Sequence, residues 1–358
     1  MKNFVHISII TLIFILSSIA TLNYFVDPYW CFNHAYSFNQ YQRGSNERQQ
    51  KTNQLYFSNK KYNSLLLGSS RVTYFNKNDL KGDVFNYSCS DMQPKEYKSF
   101  IDFAINDAKQ DIKTIYLGLD FYGSLSYGIK KFNNPKQYRE ATLSKFYRYK
   151  VLLSIDALNN SMHNLKKFKN MSLDTYNRDN LKSPPRLFGS TTNKSVFNVQ
   201  EYSRYKYHPK NRDPNFKNYL LELKNSYSKI NFIVFTTPVS SDLIDEIIKL
   251  QLYDNYETWI RDITSIFGEI NHFMFKNTLS TQNQYFMDSN HAYPLYYKQI
   301  AEVLNSSNYN QTIIMKINQN NIEEMLKKLK IKNSQEDIDR LSDKIPHDKI
   351  RDKHKICP

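Results

Sequence analysis

Two short segments of the sequence carry side chains that together suit nucleophilic catalysis. Ser70 follows an apolar run in "LLLGSSR", and Asp288 and His291 lie three residues apart in "DSNH". A serine hydroxyl becomes an effective nucleophile when a histidine removes its proton and a carboxylate holds that histidine in one tautomer. Each segment alone is typical of an ordinary turn. The combination predicts Ser70 as nucleophile, His291 as general base and Asp288 as its orienting partner.

The elements that would position these residues alternate between strand and helix. Short apolar runs bounded by turn residues predict strands, and the longer periodic segments between them predict helices. The predicted strands cover 62–67, 84–87, 114–119, 230–235 and 272–275, and the main predicted helices cover 94–108, 143–169, 215–228, 241–251 and 256–267, with a further helix after residue 293. This alternation favours an α/β fold whose parallel sheet is covered on both faces.

Polar residues follow several of these strands. In a parallel sheet of this kind the ligand crevice lies at the carboxyl ends of the strands. The residues expected to collect there are Ser69, Ser70, Asp91, Asp120, Thr236 and Thr237. Sequence order alone leaves open whether they converge. Arg71 has two interpretations: a salt bridge that holds the strand-end turn, or a cation that binds an anionic substrate.

The chain of 358 residues has a formal net charge of +15. Such a charge favours acidic partners, namely anionic lipid, anionic polysaccharide or nucleic acid. Because the lysines are spread along the chain and no nucleic-acid-binding motif accompanies them, nucleic acid is the least favoured of the three. The sequence has neither a Cys/His cluster of metal-site spacing nor a Gly-rich phosphate loop, so no metal or other cofactor is expected.

The N-terminus predicts a membrane anchor. Between Lys2 and Asp27 there is no Asp, Glu, Lys or Arg, and a membrane-spanning helix needs about 20 apolar residues. A cleavable signal peptide is the competing interpretation, because Ser18 and Ala20 are small residues of the kind found at cleavage sites. The length of the apolar region favours an uncleaved anchor over residues 1–27. Lys2 favours a cytoplasmic N-terminus, which would place the main domain on the periplasmic or extracytoplasmic side of the inner membrane.

The remaining chain divides by composition into three parts. Residues 28–60 are polar and are expected to form a juxtamembrane linker, and residues 61–312 form the α/β domain, with a basic insertion near 170–213. Residues 313–358 form a highly charged tail with apolar residues at helical spacing from Ile322 to Leu329. That spacing predicts an amphipathic helix, which either packs on the domain or binds a partner or a membrane surface.

Ser70 after the first predicted strand, with Asp288 and His291 before the last helix of the domain, resembles the SGNH hydrolase superfamily, also called the GDSL-like family, over residues 60–305. The chain is most similar to a membrane-anchored bacterial branch that includes the D-alanyl-lipoteichoic-acid and alginate O-acetylation proteins. The resemblance implies a three-layer α/β/α sandwich with a parallel sheet of about five strands in the flavodoxin-like order 2-1-3-4-5. It assigns these three residues to the catalytic triad and places Ser69 where the family has aspartate.

Two further motifs of the family, which help bind the oxyanion, depart from its pattern. "NYSCSD" keeps Asn86 of one motif but has Asp91 where the family has glycine, and "GLDF" keeps Gly118 of the other but has Asp120 where the family has asparagine. At Asp91 only the backbone amide is required, provided that its conformation is allowed. An ionised Asp120 cannot donate to an oxyanion. It therefore pairs with Arg71 or a backbone amide, or is protonated in a desolvated pocket, or leaves the site slow or inactive.

Two functions of different classes agree with these observations. The leading hypothesis is a membrane-tethered serine acyl esterase or O-acyltransferase that acts on a cell-envelope glycan through an acyl-Ser70 intermediate. Its substrate would be an envelope polysaccharide or another acylated glycan, and the resemblance also implies a multi-spanning acyltransferase as a partner. The alternative is a non-catalytic anchored scaffold or glycan-binding protein that keeps the SGNH fold, and the altered oxyanion motifs favour it.

Overall fold

The structure, a computed structural model, describes residues 1–126, 134–167, 175–183, 199, 203, 206, 207, 211–306 and 312–334. The helices are α1 (Lys2–Val26), α2 (Glu47–Phe57), α3 (Ser70–Thr73), α4 (Pro94–Asp102), α5 (Lys136–Leu143), α6 (Tyr147–Leu152), α7 (Ile155–Lys167), α8 (Phe216–Ser226), α9 (Ser241–Lys249), α10 (Tyr253–Phe267), α11 (Pro294–Asn305) and α12 (Ile322–Ser334). The strands are β1 (Tyr41–Arg43), β2 (Ser64–Leu67), β3 (Val84–Asn86), β4 (Thr114–Leu119), β5 (Thr175–Asn177), β6 (Asn231–Thr236), β7 (Glu269–His272) and β8 (Met315–Asn318).

The fold is mixed α/β with a mostly parallel central sheet. The strands of this sheet lie in the order β3-β2-β4-β6-β7-β8, and all neighbouring pairs are parallel except β7 and β8, which are antiparallel. The described sheet thus has six strands where about five were expected. The extra strand comes from the segment interpreted as a charged tail. β1 and β5 pair separately in an antiparallel ribbon.

The central strands are buried on both faces, which explains their continuous apolar sequence. Every residue of β2 is buried, and its alternate side chains enter different clusters: Leu65 and Leu67 join one buried cluster, and Leu66 joins a second one. In β4, Leu117 and Tyr116 divide between the same two clusters. Since successive side chains of a strand point to opposite faces, the two clusters lie on opposite sides of the sheet.

Two elements differ from the sequence prediction. The helix expected over 143–169 is interrupted between α6 and α7, where the Ser154 hydroxyl accepts a hydrogen bond from the Ala157 amide at 3.3 Å and begins a new helix. The strand expected at 272–275 instead covers Glu269–His272. It begins directly after Gly268, whose φ of 85° ends α10 and lets the chain turn into the sheet at once.

The segment 28–60, interpreted as a linker, is folded against the domain. Its helix α2 buries a mostly polar face that contains Glu47, Gln49, Gln50, Lys51, Thr52 and Asn53. Such a face has no apolar periodicity, so the pattern used to detect packed helices did not reveal it. The tail likewise contributes to the domain, since Leu326 and Leu329 of α12 are buried in the core. Residues 335–358 of the predicted tail and much of the insertion 170–213 lie outside the described residues.

The N-terminal helix α1 is long and apolar enough to span a membrane. It has 25 residues, and no part of its most apolar stretch is buried inside the fold. Only its last turns contact the domain, where Asn23 and Val26 are buried. The helix ends at Asp27, which adopts a left-handed conformation with φ 50°.

Candidate functional site

The three residues predicted to form a triad lie in one hydrogen-bonded chain. The Ser70 hydroxyl Oγ is 2.9 Å from His291 Nε2, although 221 positions separate the two residues. On the other side of the ring, His291 Nδ1 is 2.8 Å from Asp288 Oδ2. In the tautomer that satisfies both contacts, Nδ1–H donates to the carboxylate and Nε2 accepts from the serine hydroxyl. This is the arrangement in which an imidazole takes a proton from a serine.

Two glycines bring Ser70 close to the strand ends. Ser70 begins α3 three residues after the last residue of β2. A Cβ atom on Gly68 would lie 2.4 Å from Val72 Cγ2, and a Cβ atom on Gly118 would lie 2.6 Å from the same atom. Both contacts are too short for real atoms, so only glycine lets α3 pack this closely on β4. Ser69 is buried, and its hydroxyl accepts a hydrogen bond from the Arg71 amide at 3.3 Å, which caps α3.

The loop that carries His291 is fixed by its own carboxylate. Asp288 Oδ1 accepts hydrogen bonds from the amides of Asn290 and His291, each at 2.8 Å. The Ser289 carbonyl accepts from both the amide and the hydroxyl of Ser240, each at 3.0 Å, which ties the loop to the start of α9. Burial by itself would raise the pKa of Asp288, but His291 and these hydrogen bonds outweigh burial and hold the pKa below its ordinary value. Asp288 is therefore ionised and available to orient the imidazole.

Asp120 lies at the end of β4 and is paired with Arg71. Their closest atoms, Arg71 Nη1 and Asp120 Oδ1, are 3.3 Å apart, and the two side chains are only 1% and 3% exposed. Thr237 donates its hydroxyl to the same carboxylate oxygen at 2.5 Å. The guanidinium also donates to Tyr207 Oη at 3.4 Å and lies 5.1 Å from the centre of the Tyr122 ring. Of the alternatives for Asp120, the geometry is that of a structural carboxylate paired with Arg71.

Asp91 has a backbone conformation that glycine would adopt more easily. Its φ is 56°, in the left-handed region that aspartate tolerates better than most residues. Its carboxylate forms an ion pair with Lys206 of the insertion, and this ammonium lies 4.9 Å from the centre of the Tyr122 ring. The turn also contacts the serine loop, because the Cys89 amide donates to the Gly68 carbonyl at 3.1 Å.

Helix α2 holds the turn that precedes Asp91, a role that sequence reasoning missed. Lys51 donates to the Ser88 carbonyl at 2.7 Å, Arg48 donates to the Ser90 carbonyl at 3.0 Å, and the Ser90 amide donates to Glu47. The apolar periodicity that reveals a packed helix is missing from this segment. The signal that could have indicated the role of α2 is the density of charged and amide side chains between residues 47 and 54.

The charges of this helix are satisfied by neighbouring groups. Glu47 accepts from Tyr176 Oη at 2.6 Å and lies 3.6 Å from Lys182 Nζ, while Arg48 forms an ion pair with Glu96 at 2.7 Å. Burial favours a raised pKa for Glu47, but Lys182 and Lys51 hold the pKa below its ordinary value. Burial lowers the pKa of Lys51 to about 8.

Two backbone amides beside the triad remain available for a ligand. In the described part of the chain, neither the Ser70 amide nor the Asp91 amide donates to a protein acceptor. Both residues are partly exposed, and the Cys89–Gly68 contact holds the two loops that carry them side by side. They are suitable donors for the negative oxygen of a tetrahedral intermediate.

The strand-end residues do not all reach this site. Thr237 contacts Asp120, as described, but Thr236 faces the other way, and its hydroxyl lies 3.1 Å from Nδ1 of the buried His272. No group of three or more His, Cys, Asp or Glu side chains is placed to hold a metal ion within the described residues. Comparison with models of protein families, with curated proteins and with solved structures finds no match to this chain.

Proposed function

We propose that this protein is a membrane-tethered serine acyl esterase or O-acyltransferase of the SGNH type that acts on a cell-envelope glycan. The observation that carries the proposal is the continuous hydrogen-bonded chain from Ser70 through His291 to Asp288. Such a chain has a specific chemical use, because it turns a weakly nucleophilic hydroxyl into one that attacks an ester carbonyl.

The chemistry follows from the positions of the atoms. Ser70 Oγ attacks the ester carbonyl carbon while its proton passes to His291 Nε2, and Asp288 stabilises the imidazolium that forms. The tetrahedral intermediate then collapses, the alcohol leaves with the proton from His291, and the acyl group stays on Ser70. Water or a sugar hydroxyl next attacks the acyl-serine, with His291 again acting as base. Water as acceptor makes the protein an esterase, and a sugar hydroxyl makes it a transferase.

The weaker part of this site is the set of hydrogen-bond donors that would stabilise the oxyanion. The amides of Ser70 and Asp91 supply two donors, but Asp120 occupies the position where the family has a donating asparagine. Removing one oxyanion donor costs about 2.7–4 kcal/mol of barrier, so we expect a slow enzyme. The Arg71 partner neutralises the Asp120 charge and thereby limits its repulsion of the oxyanion.

The topology supports the SGNH assignment. Within the central sheet, the five parallel strands lie in the chain order 2-1-3-4-5, counting from β2 and leaving out the β1–β5 ribbon. This order is the one that the resemblance implies, and it has its switch point beside β2, where Ser70 lies. The two buried clusters on opposite sides of the sheet agree with a three-layer α/β/α sandwich.

We further propose that α1 anchors the protein in the inner membrane as a single span, with a cytoplasmic N-terminus and the main domain on the periplasmic or extracytoplasmic side. The length and apolar sequence of α1 support the span, and Lys2 supports the orientation. A domain held there meets envelope polysaccharide and a multi-spanning acyltransferase, the partner that the resemblance implies.

A non-catalytic scaffold of the same fold is the second candidate. The Arg71–Asp120 ion pair favours it, because this pair replaces a side-chain donor with a structural contact. The two candidates differ in one testable property, the reactivity of the Ser70 hydroxyl.

The test is labelling of the full-length protein with a fluorophosphonate, which reacts with activated serines. We expect labelling of the unmodified protein, loss of labelling in Ser70→Ala and retention in Ser69→Ala. Ser69 is the matched control because it is the adjacent hydroxyl but faces the α3 cap. A folded protein that does not react, or that reacts equally after Ser70→Ala, would support the scaffold.

A further inference from the structure

A group of large apolar side chains is exposed on α6, on the residues that flank it and on α7, beside the end of α1. We call this surface the hairpin tip; it comprises Phe146, Tyr149, Leu153, Ile155 and Met162. Their exposed fractions are 61%, 53%, 52%, 74% and 44%. A concentration of exposed large apolar side chains in one short segment marks a site of contact with another molecule or with a membrane.

The hairpin tip lies at the level where α1 would leave a membrane. The side-chain amide of Asn23 donates to the carbonyl of Leu152 at 2.8 Å and to that of Ser154 at 3.4 Å, and Ser161 Oγ donates to Asn23 Oδ1 at 2.8 Å. A span of about 20 residues that starts near Lys2 reaches its outer boundary close to Asn23. Leu153 and Ile155, which flank Ser154, therefore lie at that boundary.

The backbone of the hairpin tip also has an unusual conformation at one residue. Phe146 has a φ of 62°, a left-handed conformation that is unusual for a bulky side chain, and its side chain is nevertheless exposed. Strained positions that serve no packing role within the chain tend to mark functional surfaces. A phenylalanine directed into lipid would account for both features.

The charges and aromatic rings around the hairpin tip fit the headgroup region of a membrane. Lys145 and Lys150 are exposed beside Phe146, and Arg148 lies 5.3 Å from the ring centre of Phe32. Phe32 packs in turn on Tyr24 of α1, with ring centres 4.8 Å apart. Cationic and aromatic side chains together at the end of a span are typical of the interface with anionic lipid.

We propose that the hairpin tip inserts into the headgroup region of the bilayer that α1 spans, and that anionic lipid is its partner. This inference depends on the anchoring part of the proposed function and not on the chemistry of Ser70. The domain then has two attachments to the membrane, α1 and the hairpin tip. Two attachments hold one face of the domain against the lipid, whereas a single span would let the domain rotate above it.

The test measures the depth of spin labels on the full-length protein in vesicles that contain phosphatidylglycerol. Cysteine replaces one residue at a time in a Cys357→Ser background, because the other two cysteines, Cys31 and Cys89, are buried. Phe146→Cys and Leu153→Cys report on the hairpin tip. Ile13→Cys reports on α1. The matched control is Ile331→Cys, which is 61% exposed on α12.

We expect the labels at 146 and 153 to be less accessible to an aqueous nickel chelate than the label at 331 and more accessible than the label at 13, with the accessibility to oxygen in the opposite order. Labels at 146 and 153 that match 331, while 13 is in lipid, would overturn the inference and leave the anchor intact. Labels at 146 and 153 that are shielded from both reagents would overturn the lipid contact and show that protein covers the hairpin tip instead. A label at 13 that the chelate reaches would overturn the anchor together with the inference.

The lipid requirement has its own control. Lys145→Glu combined with Lys150→Glu should make the label at 146 shallower in phosphatidylglycerol vesicles, and should have a smaller effect in vesicles of neutral phosphatidylcholine. An equal effect in both lipids would exclude anionic headgroups as the partner.

Discussion

The ion pair between Arg71 and Asp120 makes the most direct prediction about the candidate site, through the change Asp120→Asn. This change keeps the size of the side chain and an acceptor for Thr237, but it removes the negative charge 3.3 Å from the guanidinium. At an effective dielectric constant of 20, two unit charges at that distance attract each other by about 5 kcal/mol. Removal of one partner of a buried pair costs about 3–5 kcal/mol, because the other charge stays buried without the opposite charge that compensated it.

We therefore expect Asp120→Asn to lower the free energy of unfolding by about 3–5 kcal/mol. The assay is urea unfolding of the full-length protein in detergent, followed by circular dichroism and by tryptophan fluorescence. The matched control is Asp179→Asn. Asp179 lies closer to its partner Lys60, at 2.7 Å, but the two side chains are 52% and 60% exposed. Exposed pairs contribute at most about 1 kcal/mol, so the shorter contact should give the smaller effect.

A double-mutant cycle completes the test. Arg71→Met combined with Asp120→Asn removes both charges, and the double variant should be more stable than Asp120→Asn alone, since the buried guanidinium is then removed together with its carboxylate. The reasoning is refuted if Asp120→Asn costs no more than Asp179→Asn, or if the double variant is as unstable as the sum of its single changes. Either result would mean that the two groups do not interact inside the protein.

Two further predictions concern the pH dependence of the stability and the packing of the loop that carries Ser70. Burial lowers the pKa of His272 to about 3, so below pH 6.5 the unfolded chain binds a proton that the folded chain does not. The free energy of unfolding therefore decreases as the pH is lowered, by about 2 kcal/mol at pH 5. His272→Gln should reduce the loss between pH 7.5 and 5, measured as urea midpoints; an unchanged loss would contradict the neutral buried imidazole. Gly68→Ala should destabilise the protein by about 1–3 kcal/mol and slow fluorophosphonate labelling, because its Cβ would lie 2.4 Å from Val72 Cγ2. Gly123→Ala is the control, with its nearest atom at 3.5 Å, and equal effects of the two changes would show that the contact with Val72 does not matter.

Local sequence patterns were sufficient to predict most of the sheet. The apolar runs at 62–67, 84–87, 114–119 and 230–235 correspond to β2, β3, β4 and β6, since strands that are largely buried on both faces are mostly apolar. Pro94 begins α4, as its position before an amphipathic segment predicted. The uncharged stretch after Lys2 corresponds to α1.

Patterns failed where an element is held by polar contacts or by distant partners. The buried face of α2 is polar, so periodicity could not identify its contacts with the turn at 88–90. The strand β8 lies within the segment that composition assigned to a charged tail, and it forms by antiparallel pairing with β7, a distant partner. Burial of such groups is decided by what surrounds them and not by their own type.

The same division applies to the candidate site. The types and spacing of Ser70, Asp288 and His291 are enough to predict a triad, because one loop carries both the base and its carboxylate and a strand end carries the hydroxyl. Only the tertiary structure decided that the imidazole lies 2.9 Å from that hydroxyl and that Asp120 faces Arg71. Both contacts join residues far apart in the chain, and such contacts depend on the packing of the whole sheet.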